Sequence, residues 1–87
     1  MNQVNAIKHL NNVFPECNAT DASDFYGYES DLIWFKGGTV EGEDVINMGV
    51  WVDTFGTLPA LERELKSIGW CSEAYDYGTL HAFNEAA

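Results

Sequence analysis

Two histidines, two cysteines and fourteen carboxylates are the side chains of this 87-residue sequence that chemistry would draw on. His9 and His81 belong to no recognisable motif and read as surface or strand-packing residues. Cys17 and Cys71 form no Cys-x-x-Cys pair, and no helix carries paired histidines, so a zinc site is not expected. The segment Asp21-Ala22-Ser23-Asp24-Phe25 begins like a calcium loop. It then puts Phe25 at the fifth ligand position, where an oxygen is required. Glu41-Gly42-Glu43-Asp44 would attract a divalent ion only loosely. A phosphate cradle runs from glycines into a helix bearing a lysine, whereas Gly37-Gly38 runs into an acidic connection. Carboxylate pairs are plentiful at this composition, and none is singled out by its context. The expectation is a protein that is not an enzyme and uses no cofactor and no metal.

What remains is charge. Fourteen Asp and Glu stand against four Lys and Arg, a net charge of -10. Between Glu16 and Asp53 there are nine carboxylates (Glu16, Asp21, Asp24, Glu29, Asp31, Glu41, Glu43, Asp44, Asp53) and one cation, Lys36. Direct nucleic-acid binding is opposed, because that affinity rests on Lys and Arg neutralising phosphates. Anionic lipid would repel the same surface, and no apolar stretch is long enough to span a membrane. The N-terminus has no basic region leading into an apolar run, so a secretory signal is not expected. The location that follows is cytoplasmic. There the two cysteines are expected as reduced thiols, and the sequon Asn18-Ala19-Thr20 carries no meaning.

Three Trp, four Tyr and five Phe set this chain apart from an acidic disordered tail. It is long enough for one core and not for two. Val4, Ile7, Leu10 and Phe14 recur at helical spacing and predict a helix over Gln3 to Val13, with His9 and Lys8 facing water. Pro15 ends it. Residues 14–31 read as an irregular acidic segment, where Phe25, Tyr26 and Tyr28 are expected to pack down or add a short strand. Leu32-Ile33-Trp34-Phe35 and Val45 to Val52 read as two strands of an antiparallel hairpin, joined by an acidic connection over Thr39 to Asp44. Thr57 is the expected N-cap of a second helix, with Pro59 in its first turn, Leu58, Leu61, Leu65 and Ile68 on one face, and Gly69 as its stop. Trp70 to Tyr75 and Thr79 to Phe83 read as a last hairpin about Tyr77-Gly78, and residues 84–87 as a frayed tail. The predicted fold is one α+β domain over residues 1–87, in the order α-β-β-α-β-β. It has a mostly antiparallel sheet with two helices on one face. Its other face is expected to be partly exposed, with Trp51 or Tyr75 lying on it.

Within this frame the acids fall mainly in the predicted loops, and tyrosines are interleaved with them. Asp24-Phe25-Tyr26-Gly27-Tyr28-Glu29 and Glu73-Ala74-Tyr75-Asp76-Tyr77 both show the pattern. Tyrosine adds contact area at low entropy cost, and fixed carboxylates present a field like that of a phosphate backbone. The candidate partner-binding residues are Asp21, Asp24, Tyr26, Tyr28, Glu29, Asp31, Glu41, Glu43, Asp44, Glu73, Tyr75 and Asp76. The plainer reading is that the aromatics pack the core and the acids keep the protein soluble.

In size, charge and aromatic content the whole chain resembles phage-encoded inhibitors of bacterial defence, the anti-CRISPR proteins and DNA mimics. That class shares no motif, so no functional residue carries over. The resemblance implies a stoichiometric inhibitor of a basic nucleic-acid-binding protein or ribonucleoprotein complex, acting in the cytoplasm of a bacterial host cell. The chain itself is expected as a monomer or weak homodimer. Two other readings stay open. One is an immunity protein or antitoxin that blocks a basic nuclease toxin. The other is an oligomerising structural or adaptor module.

Overall fold

In the computed structural model, residues 1–45, 58–76 and 79–85 are described, with backbone alone for 74–76. The first helix, α1, spans Gln3–Val13. Asn2 caps it, its side-chain oxygen accepting the Asn5 N–H at 2.9 Å, which satisfies one donor of the open first turn. The buried stripe is Ala6 and Leu10, flanked by the half-buried Ile7 and Phe14. Val4, expected on that stripe, is 59% exposed. Gln3 and Ala6 take the inward positions instead, one step round the helix.

Past Pro15 the acidic segment is not irregular throughout. It holds a short strand, β1 (Ala19–Asp21), and a single-turn helix, α2 (Ser23–Tyr26). The next strand, β2 (Ile33–Phe35), matches the predicted apolar run. Its neighbours do not. β1 pairs with it antiparallel on one edge (Thr20 opposite Trp34), and the last strand pairs on the other (Ile33 opposite Ala82). Both edges being occupied, β2 is not half of a hairpin with the predicted strand over 45–52. That run lies outside the described residues beyond Val45.

The acidic connection is itself a small ribbon, β3 (Thr39–Val40) with β4 (Glu43–Asp44). Its turn residues Glu41 and Gly42 both have positive φ, 53° and 82°, as a two-residue hairpin requires to match strand twist.

The second long helix, α3, spans Pro59–Ser67 with proline in its first turn. Its N-cap position is Leu58, with no side-chain cap bond; Thr57 lies outside the described residues. Leu58, Leu61 and Leu65 are buried, and Gly69 takes φ 81° just past the end, as a C-terminal stop does. Glu62 and Lys66 pair at 3.4 Å, worth a few tenths of a kcal/mol, roughly. The last two strands are β5 (Trp70–Asp76) and β6 (Thr79–Asn84), joined antiparallel with an irregularity between Ala74 and Asp76. The expected turn, Tyr77-Gly78, lies outside the described residues. The tail is not frayed at Asn84 and Glu85: the Glu85 N–H donates to the Gly69 carbonyl at 2.9 Å. The Asn84 amide reaches the Met1 carbonyl at 3.3 Å.

The sheet order is β1-β2-β6-β5, with every neighbour antiparallel. The result is a single α+β domain. Alternation along the strands gives the sheet two different faces. Ile33, Phe35, Leu80 and Ala82 point into one core with α1 and α3. Trp34 and His81 point the other way, where α2 covers them. His9, predicted to face water, bonds to Glu64 of α3 at 2.5 Å and ties the two long helices together. Trp70 is 1% exposed, and its indole N–H donates to the Met1 carbonyl at 2.7 Å. Both cysteines are free thiols. Burial pushes the Cys17 thiol above its ordinary pKa, and the same cause leads for Cys71.

Two contacts fix how the strands meet α1. The Asn11 side-chain amide donates to the Ala19 carbonyl at 2.9 Å and accepts the Ala19 N–H at 3.0 Å. It fills the place of a strand partner on the β1 edge. Gly38 passes so close to the Cys17 backbone that a β-carbon would collide with the carbonyl, whereas Gly37 has open space but φ 66°. Asn11→Ala is expected to lower stability by about 2 kcal/mol, since it strands both polar groups of the buried Ala19. Urea denaturation measures it. Gly38→Ala is expected to cost roughly 3 kcal/mol or more, because backbone must move. Gly37→Ala costs only about 1 kcal/mol of left-handed strain. Equal denaturation midpoints for the two glycine variants would contradict this close approach.

Candidate functional site

The segment from Asp21 to Leu32 is built by short-range polar bonds. Asp21 sits at the end of β1, and its carboxylate accepts the Ser23 N–H at 2.8 Å, which starts α2. Gly27 ends α2 in the left-handed region at φ 77°, its N–H returning to the Ser23 carbonyl at 2.8 Å. The chain then doubles back. The Ser30 N–H donates to the Ser23 hydroxyl at 2.9 Å, and the Ala22 N–H to the Leu32 carbonyl at 3.1 Å. From the other side, Gln3 on the first turn of α1 donates its amide to the carbonyls of Ser30 and Leu32, at 3.0 and 2.8 Å.

Aromatic rings anchor this loop to the sheet. Phe25 packs on Trp34 and His81, with ring centres 5.1 and 5.0 Å away. Tyr26 and His81 are hydrogen-bonded between the hydroxyl and Nδ1 at 3.2 Å. His81 is 4% exposed and packs within this layer. Tyr28 stacks on Tyr26, with centres 5.1 Å apart and planes 26° from parallel, yet is itself 64% exposed. Lys36 lies over Trp34, its Nζ 5.5 Å from the ring centre, a cation–π distance.

Gln3, Tyr26, Tyr28, Glu29, Ser30, Asp31 and Leu32 line an open groove of about 530 Å³. Four of the predicted partner-binding residues, Tyr26, Tyr28, Glu29 and Asp31, therefore meet around one concavity. Asp24 is exposed on α2 beside them. Glu73 stands opposite His81 in the β5–β6 register and is exposed, on the same side of the sheet. Asp21 does not join them: its carboxylate is turned back to organise α2. The side chains of Tyr75 and Asp76 lie outside the description.

Glu41, Glu43 and Asp44 are exposed on the β3–β4 ribbon, in another place. The ribbon packs beside the C-terminal end of α1, where Val13, Phe14, Pro15, Glu16, Thr39, Glu41 and Gly42 line a second groove of about 360 Å³. The Thr39 hydroxyl donates to the Glu16 carboxylate there at 3.1 Å. Gln3 lines the first groove and Val13 the second. They are the two ends of an eleven-residue helix, or about 16 Å at about 1.5 Å per residue. The longest extent of the molecule is 30 Å. Among the described residues, Glu29 and Asp31 thus lie at one groove and Glu41 at the other, at opposite ends of α1.

Sequence reasoning missed Gln3, Ser30 and Leu32 as groove residues. Gln3 had no local signal, since its partners lie 27 and 29 residues away. Among the described residues, no three His, Cys, Asp or Glu come together so as to hold a metal ion. No described helix is long and apolar enough to cross a membrane. Comparison with protein-family models, with curated proteins and with solved structures finds no match to this chain.

The Asp21 carboxyl is held below its ordinary pKa by the Ser23 hydroxyl first and the Ser23 N–H second; Gln3 adds to this, while desolvation opposes it. A depressed folded pKa makes a contribution that is fully present above the ordinary carboxylate value, about 3.9. The contribution is lost as pH falls through the lower folded value. Asp21→Asn is therefore expected to lower the urea midpoint near pH 7, with the gap to the wild type narrowing below about pH 4. A gap that stays constant with pH would contradict the role of the charge.

Proposed function

We propose that the protein is a non-enzymatic inhibitor that docks on a basic, nucleic-acid-binding surface of a bacterial defence effector complex. It would act as an anti-CRISPR protein or DNA mimic does. The observation that carries this reading is the groove at Tyr26–Leu32, where an exposed tyrosine stands beside two exposed carboxylates. Neither Glu29 nor Asp31 is ion-paired among the described residues. Their field is therefore available to a partner, and complementary fields raise association rates and select among partners. The rings behind the groove are locked by packing on Trp34 and His81, so little freedom remains to be lost on binding. The net charge of -10 supports the same direction. The mode of action is stoichiometric: the inhibitor occupies the surface that DNA or RNA would occupy.

Displacement of a fluorescein-labelled oligonucleotide from purified CRISPR effector complexes tests this reading by fluorescence anisotropy. Displacement is expected to weaken as salt rises from about 50 to about 200 mM, since the contacts are ionic. Glu29→Lys with Asp31→Lys is expected to abolish it. Glu41→Lys, Glu43→Lys and Asp44→Lys together reverse the charge at the far end of α1 and are expected to weaken it far less. Absence of displacement at low salt, or equal displacement by the Glu29/Asp31 variant, would sink the proposal.

A further inference from the structure

We infer that the groove between Tyr28 and Asp31 is a receptor for an arginine side chain of the partner, in preference to lysine. This rests on the reading above and sharpens it to one chemical group. A cation alone would be served equally by either residue. What distinguishes this groove is the combination of a flat ring with two carboxylates.

Tyr28 covers Tyr26 with one face, at 26° between the planes, and its 64% exposure leaves the other face to solvent. That face is a platform for a planar, weakly hydrated guanidinium, which stacks on aromatic rings where an ammonium stays hydrated. Glu29 and Asp31 follow within three residues of the platform, both exposed on the same groove. A guanidinium has five donors in a rigid fork and engages carboxylates with two parallel bonds, which an ammonium does not reproduce.

The backbone that carries these acids is pinned. Both carbonyls flanking Asp31, those of Ser30 and Leu32, are occupied by the Gln3 amide. The loop therefore meets the guanidinium with its side chains, while its backbone stays bound to α1. The same aromatic layer already holds one cation, since Lys36 lies 5.5 Å from the Trp34 ring centre.

The test uses two fluorescein-labelled peptides of equal charge, hexa-arginine and hexa-lysine, titrated with the full chain at about 50 mM salt. The arginine peptide is expected to bind about fivefold more tightly. Tyr28→Leu is expected to remove that preference, and Tyr28→Phe, which keeps the ring, to retain it. Glu29→Gln with Asp31→Asn is expected to weaken both peptides. Equal affinities for the two peptides, with both weakened by the Glu29/Asp31 variant, would overturn the arginine inference and leave the acidic docking groove standing. Affinities unmoved by that variant would overturn the groove itself, and the inference with it.

Discussion

The fold depends on two amide side chains of one helix. Asn11 closes two hydrogen bonds with the backbone of Ala19, and Gln3 donates to the carbonyls of Ser30 and Leu32. Between these points runs the most acidic stretch of the chain before the β3–β4 ribbon. Among the described residues, no ion pair holds it there. A segment that repels itself is kept in place by neutral donors and acceptors, whose bonds do not weaken with salt as ion pairs do. Asn11 has a second effect. By taking the outer polar groups of Ala19, the amide covers part of an edge strand that would otherwise be a template for another chain.

The two faces of the sheet divide the work. One face, with Ile33, Phe35, Leu80 and Ala82, joins α1 and α3 in the apolar core. Burial of that surface is the main source of stability, and His9 with Glu64 closes the gap between the helices above it. The other face carries an aromatic layer of Trp34, His81, Phe25 and Tyr26. Such rings prefer edge and offset contacts with fixed geometry, so the layer positions α2 although that helix has a single turn and little stability of its own. Tyr28 extends the layer outward, and the loop acids stand at its rim. The groove is thus the place where a rigid aromatic surface gives way to charge.

Charge itself is distributed by the backbone. The β3–β4 ribbon projects Glu41, Glu43 and Asp44 beside the end of α1, while the Tyr26–Leu32 loop lies at its start. Separation by a helix length keeps the two groups from adding their full repulsion, since screening acts over roughly 10 Å. It also makes them distinct as surfaces for a partner. Asp21 belongs to neither: its lowered pKa reflects bonds within the chain, from the Ser23 hydroxyl and N–H.

The sequence by itself determined what is local. The span of α1, the Pro59 start and Gly69 stop of α3, and the strands about Ile33, Trp70 and Thr79 follow from spacing, proline and glycine. Each involves residues within one or two turns or along one strand. The concentration of acids and tyrosines about Tyr26 to Asp31 was equally legible, as composition. Only the tertiary structure decided that Ala19–Asp21 is a strand, because three residues acquire that state from β2 and Asn11. Pairing across the sheet likewise placed β2 between β1 and β6, and so turned Trp34 and His81 to one face together. Tertiary structure also set Glu29 and Asp31 at one end of α1 and Glu41 at the other, and gave Gln3 its place in the groove. Those outcomes rest on contacts between residues far apart in the chain, which neither periodicity nor charge pattern encodes.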